Sequence, residues 1–198
     1  MIKIVTPVSR IFNLLEIEKS FGNIDLSKFE WVVIIDKSVE NDFFESGIEL
    51  KFAKVIFSPI SNALVGHAHR NLILNLFSDS EDWIMFLDDD TILCQEYPIL
   101  YDLMLESQST SKTAFVINQV NKDFSPRLFA NIEMVSVCNI DMGQYCFKIN
   151  SVPNELRFNE FDYCADGIFI EDYKKIKGSE LIAIFNSPNV FSIYNYLR

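Results

Sequence analysis

The 198-residue sequence predicts an α/β domain with a mostly parallel central sheet flanked by helices, and three observations carry that reading. Apolar runs of strand length recur along the chain, they are nearly continuous rather than alternating, and segments with helical spacing lie between several of them. The runs are "IKIV" (2–5), "WVVII" (31–35), "KVIF" (54–57), "WIMFL" (83–87), "AFVIN" (114–118), "IEMVSVC" (132–138) and "LIAIF" (181–185). Continuous apolarity marks strands that are covered on both faces.

The helices follow from their stripes. Leu14, Ile17 and Phe21 form one stripe, and Ala68, Leu72, Ile73, Leu76 and Phe77 form a second. A third helix follows Pro98, which suits a first turn, and a fourth is "GIFIEDYKKI" (167–176). From roughly 110 to 160 the connections are longer and strand outweighs helix. With no internal repeat, low-complexity tract or Gly, Pro or Ser-rich linker, the expectation is one domain over 1–198.

Composition excludes some classes of function. The 17 basic and 28 acidic residues give a net charge of −11, which repels phosphate backbones and anionic lipid surfaces, so nucleic acid is not an expected partner. No apolar run approaches the roughly 18–20 residues that cross a bilayer. "MIKIVTPVSR" lacks the pattern of a secretory leader. Cys94, Cys138, Cys146 and Cys164 are dispersed without a CxxC pair, which suggests neither a zinc knuckle nor a disulfide framework. A reducing cytoplasm is the expected location, with peripheral membrane contact left open.

The chemistry concentrates at "EDWIMFLDDDTIL" (81–93), where a buried-strand pattern ends in Asp88, Asp89 and Asp90. Adjacent carboxylates repel one another by about 1 kcal/mol per close pair in water, so a cation is expected to compensate. Mg²⁺ and Mn²⁺ prefer oxygen ligands, and in an extended segment Asp88 and Asp90 share a face while Asp89 points away. A solvated acidic turn or a helix start is the plainer alternative. A strand ending in Asp-x-Asp also suits a metal-dependent phosphohydrolase of the haloacid-dehalogenase type, with the first Asp attacking phosphorus. That motif normally sits on the first strand and needs a downstream Lys with an acidic pair, for which this chain offers no convincing set. A nucleotidyltransferase would bring an early glycine-rich, lysine-containing phosphate loop, which is also lacking.

More of the chain is used by another reading. "TPVSR" closes the first strand, "IIDKS" the second, and "GHAHRNLILNLFSDSEDWIMFLDDDTIL" leads a helix into the triplet. This ordered set over about 100 residues resembles the nucleotide-sugar glycosyltransferases of the GT-A fold, particularly the family-two type and related glucuronyltransferases. Their Gly-x-x-x-Arg-Asn segment is matched by Gly66, Arg70 and Asn71, and their strand-end acidic motif by Asp88, Asp89 and Asp90. The resemblance implies a single GT-A-like, Rossmann-like domain, with about 1–105 as the nucleotide-sugar and metal half and about 106–198 as the acceptor half. It implies Mn²⁺ or Mg²⁺ held by Asp88 and Asp90, and a nucleoside-diphosphate sugar, UDP-linked, contacted by Thr6, Pro7, Asp36, Arg70, Asn71, Asp88, Asp89, Asp141 and Gln144. Asp36 would meet the base, with Thr6 and Pro7 as the pocket wall, and Arg70 would face the nucleotide. Lys37 departs from the acidic or small polar residue of many relatives. His67 and His69 read as capping or packing residues.

In the acceptor half, "NIDMGQYCFKIN" (139–150) resembles the segment that lines the sugar and acceptor side, although an ordinary hairpin turn fits it equally. Phe158 and Tyr163 lead to Asp166-Gly167 at a helix start, where inverting relatives carry the general base. Asp166 takes that role, with Glu171 or Asp172 as alternatives and an N-cap as the structural alternative for Asp166. The final "YNYLR" resembles the ending of some bacterial relatives, implying a complete catalytic domain. The implied activity is metal-dependent transfer of a sugar, with inversion, to a hydroxyl on a glycan, lipid-linked or protein acceptor. A sugar-nucleotide-binding protein without turnover is the non-enzymatic alternative.

Overall fold

The computed structural model describes residues 1–188 and 191–198. In chain order its elements are β1 (Ile2–Val8), α1 (Leu14–Ser20), β2 (Phe29–Ile35), α2 (Glu40–Ser46), β3 (Ala53–Phe57), α3 (His67–Leu76), β4 (Trp83–Phe86) and β5 (Ile92–Leu93). They continue with α4 (Ile99–Ser109), β6 (Ala114–Val120), β7 (Pro126–Leu128), β8 (Tyr145–Lys148), α5 (Ala165–Lys177), β9 (Ile182–Phe185) and β10 (Phe191–Ile193). The strands form one mixed sheet in the order β3-β2-β1-β4-β8-β6-β10-β5, with β7 and β9 also paired to β6. All pairs among β1 to β4 are parallel, whereas β8 runs antiparallel between β4 and β6.

Side-chain alternation divides this sheet between two cores. Ile2, Ile4, Trp31, Val33, Trp83, Met85 and Leu87 pack with Leu14 and Ile17 of α1 and with Leu100 and Met104 of α4. Val5, Val32, Ile34, Ile84 and Phe86 pack with Ile73 and Leu74 of α3 and with Phe169, Ile170 and Tyr173 of α5. Both faces of β1, β2 and β4 are therefore buried, which accounts for the continuous apolar runs.

Three segments differ from the sequence reading. The run at 132–138 is not a strand: it holds a 3-10 turn, Ile132–Met134, whose start is capped by the Asn131 side chain. Its backbone is satisfied by α5, since Lys174 donates to the Ile132 and Val135 carbonyls and Glu171 accepts from the Val137 N–H. The short helix α2 has no buried residue and so no apolar stripe by which to read it. In α3 the inward face is Ile73 and Leu74, while Leu76 is 58% exposed.

The seat of the 132–138 loop on α5 requires a glycine. A Cβ at Gly167 would lie 2.8 Å from the Val137 Cα and 3.2 Å from the Cys138 N. Gly167→Ala must push that loop outward, and a loss of about 1–3 kcal/mol is expected from urea unfolding; an unchanged midpoint would show that the loop is not packed there.

Candidate active site

The carboxyl ends of β1, β2 and β4 and the start of α5 surround one cavity of about 330 Å³. Its lining includes Pro7, Arg10, Asp36, His69, Asp88, Asp89, Asp90, Arg127, Asp141, Tyr163, Asp166 and Arg198. Sequence positions more than a hundred residues apart thus share one opening, as strand ends and helix starts of α/β sheets commonly do.

The acidic triplet is a turn rather than a continued strand. β4 ends at Phe86, the Leu87 N–H donates to the Val5 carbonyl, and the chain then turns with Thr91 N–H donating to the Asp88 carbonyl. This turn is not solvated, because Asp89 and Asp90 are 3% and 2% exposed. Asp89 faces the α1 side and accepts from the backbone N–H groups of Ser9 and Arg10, from Ser9 Oγ and from the Arg10 guanidinium. Asn13 Nδ2 bonds the Asp89 carbonyl at 2.8 Å. Asp89 therefore pins the loop between β1 and α1.

Asp88 faces the opposite way, toward α3 and α5. There Arg70, wholly buried, donates from Nη2 to Asp88 Oδ1 at 2.5 Å and from Nη1 to Asp166 Oδ1. Its guanidinium lies 5.8 Å from the Phe86 ring centre and 5.5 Å from that of Phe158. His67 Nδ1, 3.0 Å from Arg70 Nη1, accepts from it, since guanidinium has no acceptor. Burial first, then the Arg70 charge, depresses His67 to a pKa of about 4, so it is neutral at pH 7.

Burial is also the largest influence on the two carboxylates. It raises Asp166 to about 7 and Asp88 to about 6, against the pull of Arg70; repulsion from Asp88 and Asp141 adds to the rise at Asp166, and repulsion from Asp141, Asp90 and Asp89 to that at Asp88.

Asp90 Oδ2 lies 2.7 Å from Arg10 Nη1 and 2.6 Å from Arg198 Nε. Both are close ion pairs, so this buried oxygen is already matched by two guanidinium groups. A carboxylate oxygen is a suitable ligand for a hard divalent cation, which here would take the place of those contacts. Among the described residues no three His, Cys, Asp or Glu side chains converge on a cation position, so further ligands would come from substrate and water.

The remaining predicted residues divide between lining and support. Asp141 lines the cavity, accepting from the Gly143 N–H, Gln119 Nε2 and Arg127 Nη1. Gln144 is buried and instead joins the Asp141 capping box and bonds the Ile117 and Leu128 carbonyls. Asn71 exchanges hydrogen bonds with the Phe158 backbone and reaches Glu160, fixing the chain that leads to α5. Thr6 accepts from Trp31 Nε1 inside the sheet, leaving Pro7 as the exposed neighbour in the wall. Glu171 pairs with Lys175 and caps Val137, Asp172 pairs with Lys175, and neither reaches the cavity.

Asp36 is occupied. Its oxygens accept from Ser38 N and Oγ, Asn62 N, Ala63 N and His69 Nε2. These bonds outweigh burial and hold its pKa well below the usual carboxylate range. Asp36 being ionised, His69 Nε2 carries the proton and Nδ1 accepts from Ser58 Oγ, which in turn accepts from the Ile60 N–H. The loop at 58–63 is thus tied to β2 and α3.

The sequence reading missed Arg10, Arg127 and Arg198. Arg127 lies 3.3 Å from the Tyr194 ring centre, and Arg10 and Arg198 meet only through Asp90. Arg10 and Arg198 each end a quoted motif, "TPVSR" and "YNYLR", but nothing local marks them as neighbours.

No protein-family model matches the chain, and no curated protein matches it. Solved structures do. S. aureus TarS 1–349 in complex with UDP-GlcNAc superposes with a TM-score of 0.64 at 14% identity, over 96% of this chain and 57% of that one. The mannosyltransferase PcManGT from Pyrobaculum calidifontis, in complex with GDP-Man and Mn²⁺, gives 0.67 at 12% identity, over 96% and 56%. The chain has the GT-A fold. It spans a little over half the length of these GT-A structures. Among the described residues no helix is long and apolar enough to cross a membrane.

The raised pKa of Asp166 has a stability consequence. The folded state holds this proton to higher pH than the unfolded chain, so the associated stability is full below about pH 4 and lost as pH rises through about 7. Asp166→Asn is expected to gain on the native chain by roughly 2 kcal/mol between pH 5 and pH 8 in denaturant unfolding. A difference that does not vary with pH would remove the assignment.

Proposed function

We propose that this chain is a metal-dependent glycosyltransferase that moves a sugar from a nucleoside-diphosphate donor, UDP-linked, to a hydroxyl acceptor with inversion. The observation that carries the proposal is the pair Asp88 and Asp166, set on one buried guanidinium at the mouth of a cavity that also holds Asp90. The sugar-nucleotide complexes among the GT-A structures support the donor class.

The base enters against Pro7 and the loop that Asp36 holds, and the diphosphate lies over the triplet. Asp90, with Asp88 beside it, would hold Mn²⁺ or Mg²⁺, which supplies neutralising charge to the departing diphosphate. Arg10 and Arg198 flank the same place with positive charge. Asp141 and Arg127 border the sugar.

Asp166 accepts the proton of the acceptor hydroxyl as that oxygen attacks the anomeric carbon. A hydroxyl is a poor nucleophile at neutral pH, and a carboxylate raised to about 7 is a stronger acceptor than an ordinary one. Arg70 fixes the orientation of Asp166 without touching substrate. Attack on the face of the anomeric carbon away from the departing diphosphate inverts that centre. The acceptor is a glycan, lipid-linked intermediate or protein, and the location is cytoplasmic.

Three measurements test this reading. A thermal-shift panel of nucleoside diphosphates and their sugars, with and without Mn²⁺, is expected to show stabilisation of roughly 2.7 kcal/mol at about 100 times Kd, and to lose it in Asp90→Ala. If no nucleotide stabilises the native chain in the presence of metal, the donor site is wrong; stabilisation without any transfer to acceptors would leave a binding protein. Asp166→Asn should keep donor binding and lower transfer by about 10²–10⁴-fold, and near-normal transfer would reject it as the base. Because the base must be ionised, kcat/KM is expected to fall as pH drops through about 7, and a rate that stays flat down to pH 5 would exclude Asp166.

A further inference from the structure

Asp90 is the most enclosed member of the metal-side pair, yet two guanidinium groups already face it. Arg10 Nη1 and Arg198 Nε stand 2.7 and 2.6 Å from the same oxygen, Oδ2, and the Leu197 N–H donates to the Asp90 carbonyl at 3.0 Å. Arg10 also donates from Nε and Nη2 to Asp89, so its planar head is held between Asp89 and Asp90. Arg198 has a side chain 58% exposed and makes its charged contact only here among the described ion pairs. A divalent cation at Asp90 Oδ2 would sit within a few ångströms of two positive charges. Repulsion at that distance is several-fold stronger in a partly dry cavity than in water. Both arginines line the cavity in which a diphosphate would lie, and guanidinium pairs readily with phosphate oxygens.

We infer that Arg10 and Arg198 form a latch on Asp90. They occupy the metal-side carboxylate while no nucleotide is bound, and the exposed Arg198 carries its charge over to the diphosphate when nucleotide and cation enter together. This rests on the donor reading given above. The metal alone is then bound poorly, and metal and nucleoside diphosphate each raise the affinity for the other by the same factor.

The test follows free Mn²⁺ by its electron paramagnetic resonance signal in titrations of the native chain and of Arg198→Gln, each without nucleotide and with saturating UDP or GDP. In the native chain the nucleotide is expected to tighten Mn²⁺ binding at least tenfold. In Arg198→Gln, Mn²⁺ alone should bind at least threefold more tightly than in the native chain, and the enhancement by nucleotide should shrink. Lys54→Gln makes the same charge change on the exposed part of β3, away from the cavity, and should leave Mn²⁺ affinity as it was. The latch is overturned if Arg198→Gln binds Mn²⁺ alone no tighter than the native chain, or if Lys54→Gln gains as much. If neither UDP nor GDP binds the native chain with or without Mn²⁺, the donor reading fails, and the arms without nucleotide still decide the latch.

Discussion

Everything at the candidate site hangs on one buried cation. Arg70 projects from α3 into a space from which water is excluded, and its two arms reach Asp88 at the end of β4 and Asp166 at the start of α5. An isolated guanidinium in such a place would be untenable, and removing one partner from a buried pair typically costs about 3–5 kcal/mol. The rings of Phe86 and Phe158 border its faces, and His67 Nδ1 accepts a hydrogen bond from it. The cation therefore does not merely neutralise two acids. It fixes the distance between a strand end and a helix start that are 78 residues apart in sequence, and no backbone hydrogen bond is involved.

Much of the fold was legible because burial leaves a direct trace in side-chain type. β1, β2 and β4 read as apolar runs since each is covered on both faces, and α1 buries its stripe of Leu14, Ile17 and Phe21. The failure at 132–138 has the same origin: "IEMVSVC" has strand composition, but its polar backbone is satisfied by Lys174 and Glu171 instead of by a neighbouring strand. Composition reports what a segment packs against more faithfully than what it bonds to.

The site was legible where function depends on local order and obscure where it depends on encounter. Asp88, Asp90 and Asp166 were picked out at a strand end and a helix start, Asp141 by the resemblance of the 139–150 segment, and all four border one cavity. Asn71 and Gln144 belong to the same motifs but serve as struts, a distinction that rests on the direction of an amide and is invisible to spacing. Arg10 and Arg198 were passed over because a single arginine in an acidic chain looks like any surface charge until its partner is known. For Asp36, five donors on one carboxylate could not have been inferred from "IIDKS", since two of them come from residues 62 and 63.

The alternation that splits the sheet between two cores also addresses the triplet. Leu87 belongs with the α1 and α4 core and Phe86 with the α3 and α5 core, so counting on by parity sends Asp88 to Arg70 and Asp89 to Arg10. Two chemically identical neighbours are thereby delivered to different partners, the buried cation and the loop between β1 and α1. The alternation is indifferent to which apolar residues fill β4, and it lapses once the chain turns: Asp90, of the same parity as Asp88, shares Arg10 with Asp89 instead of returning to the Arg70 side.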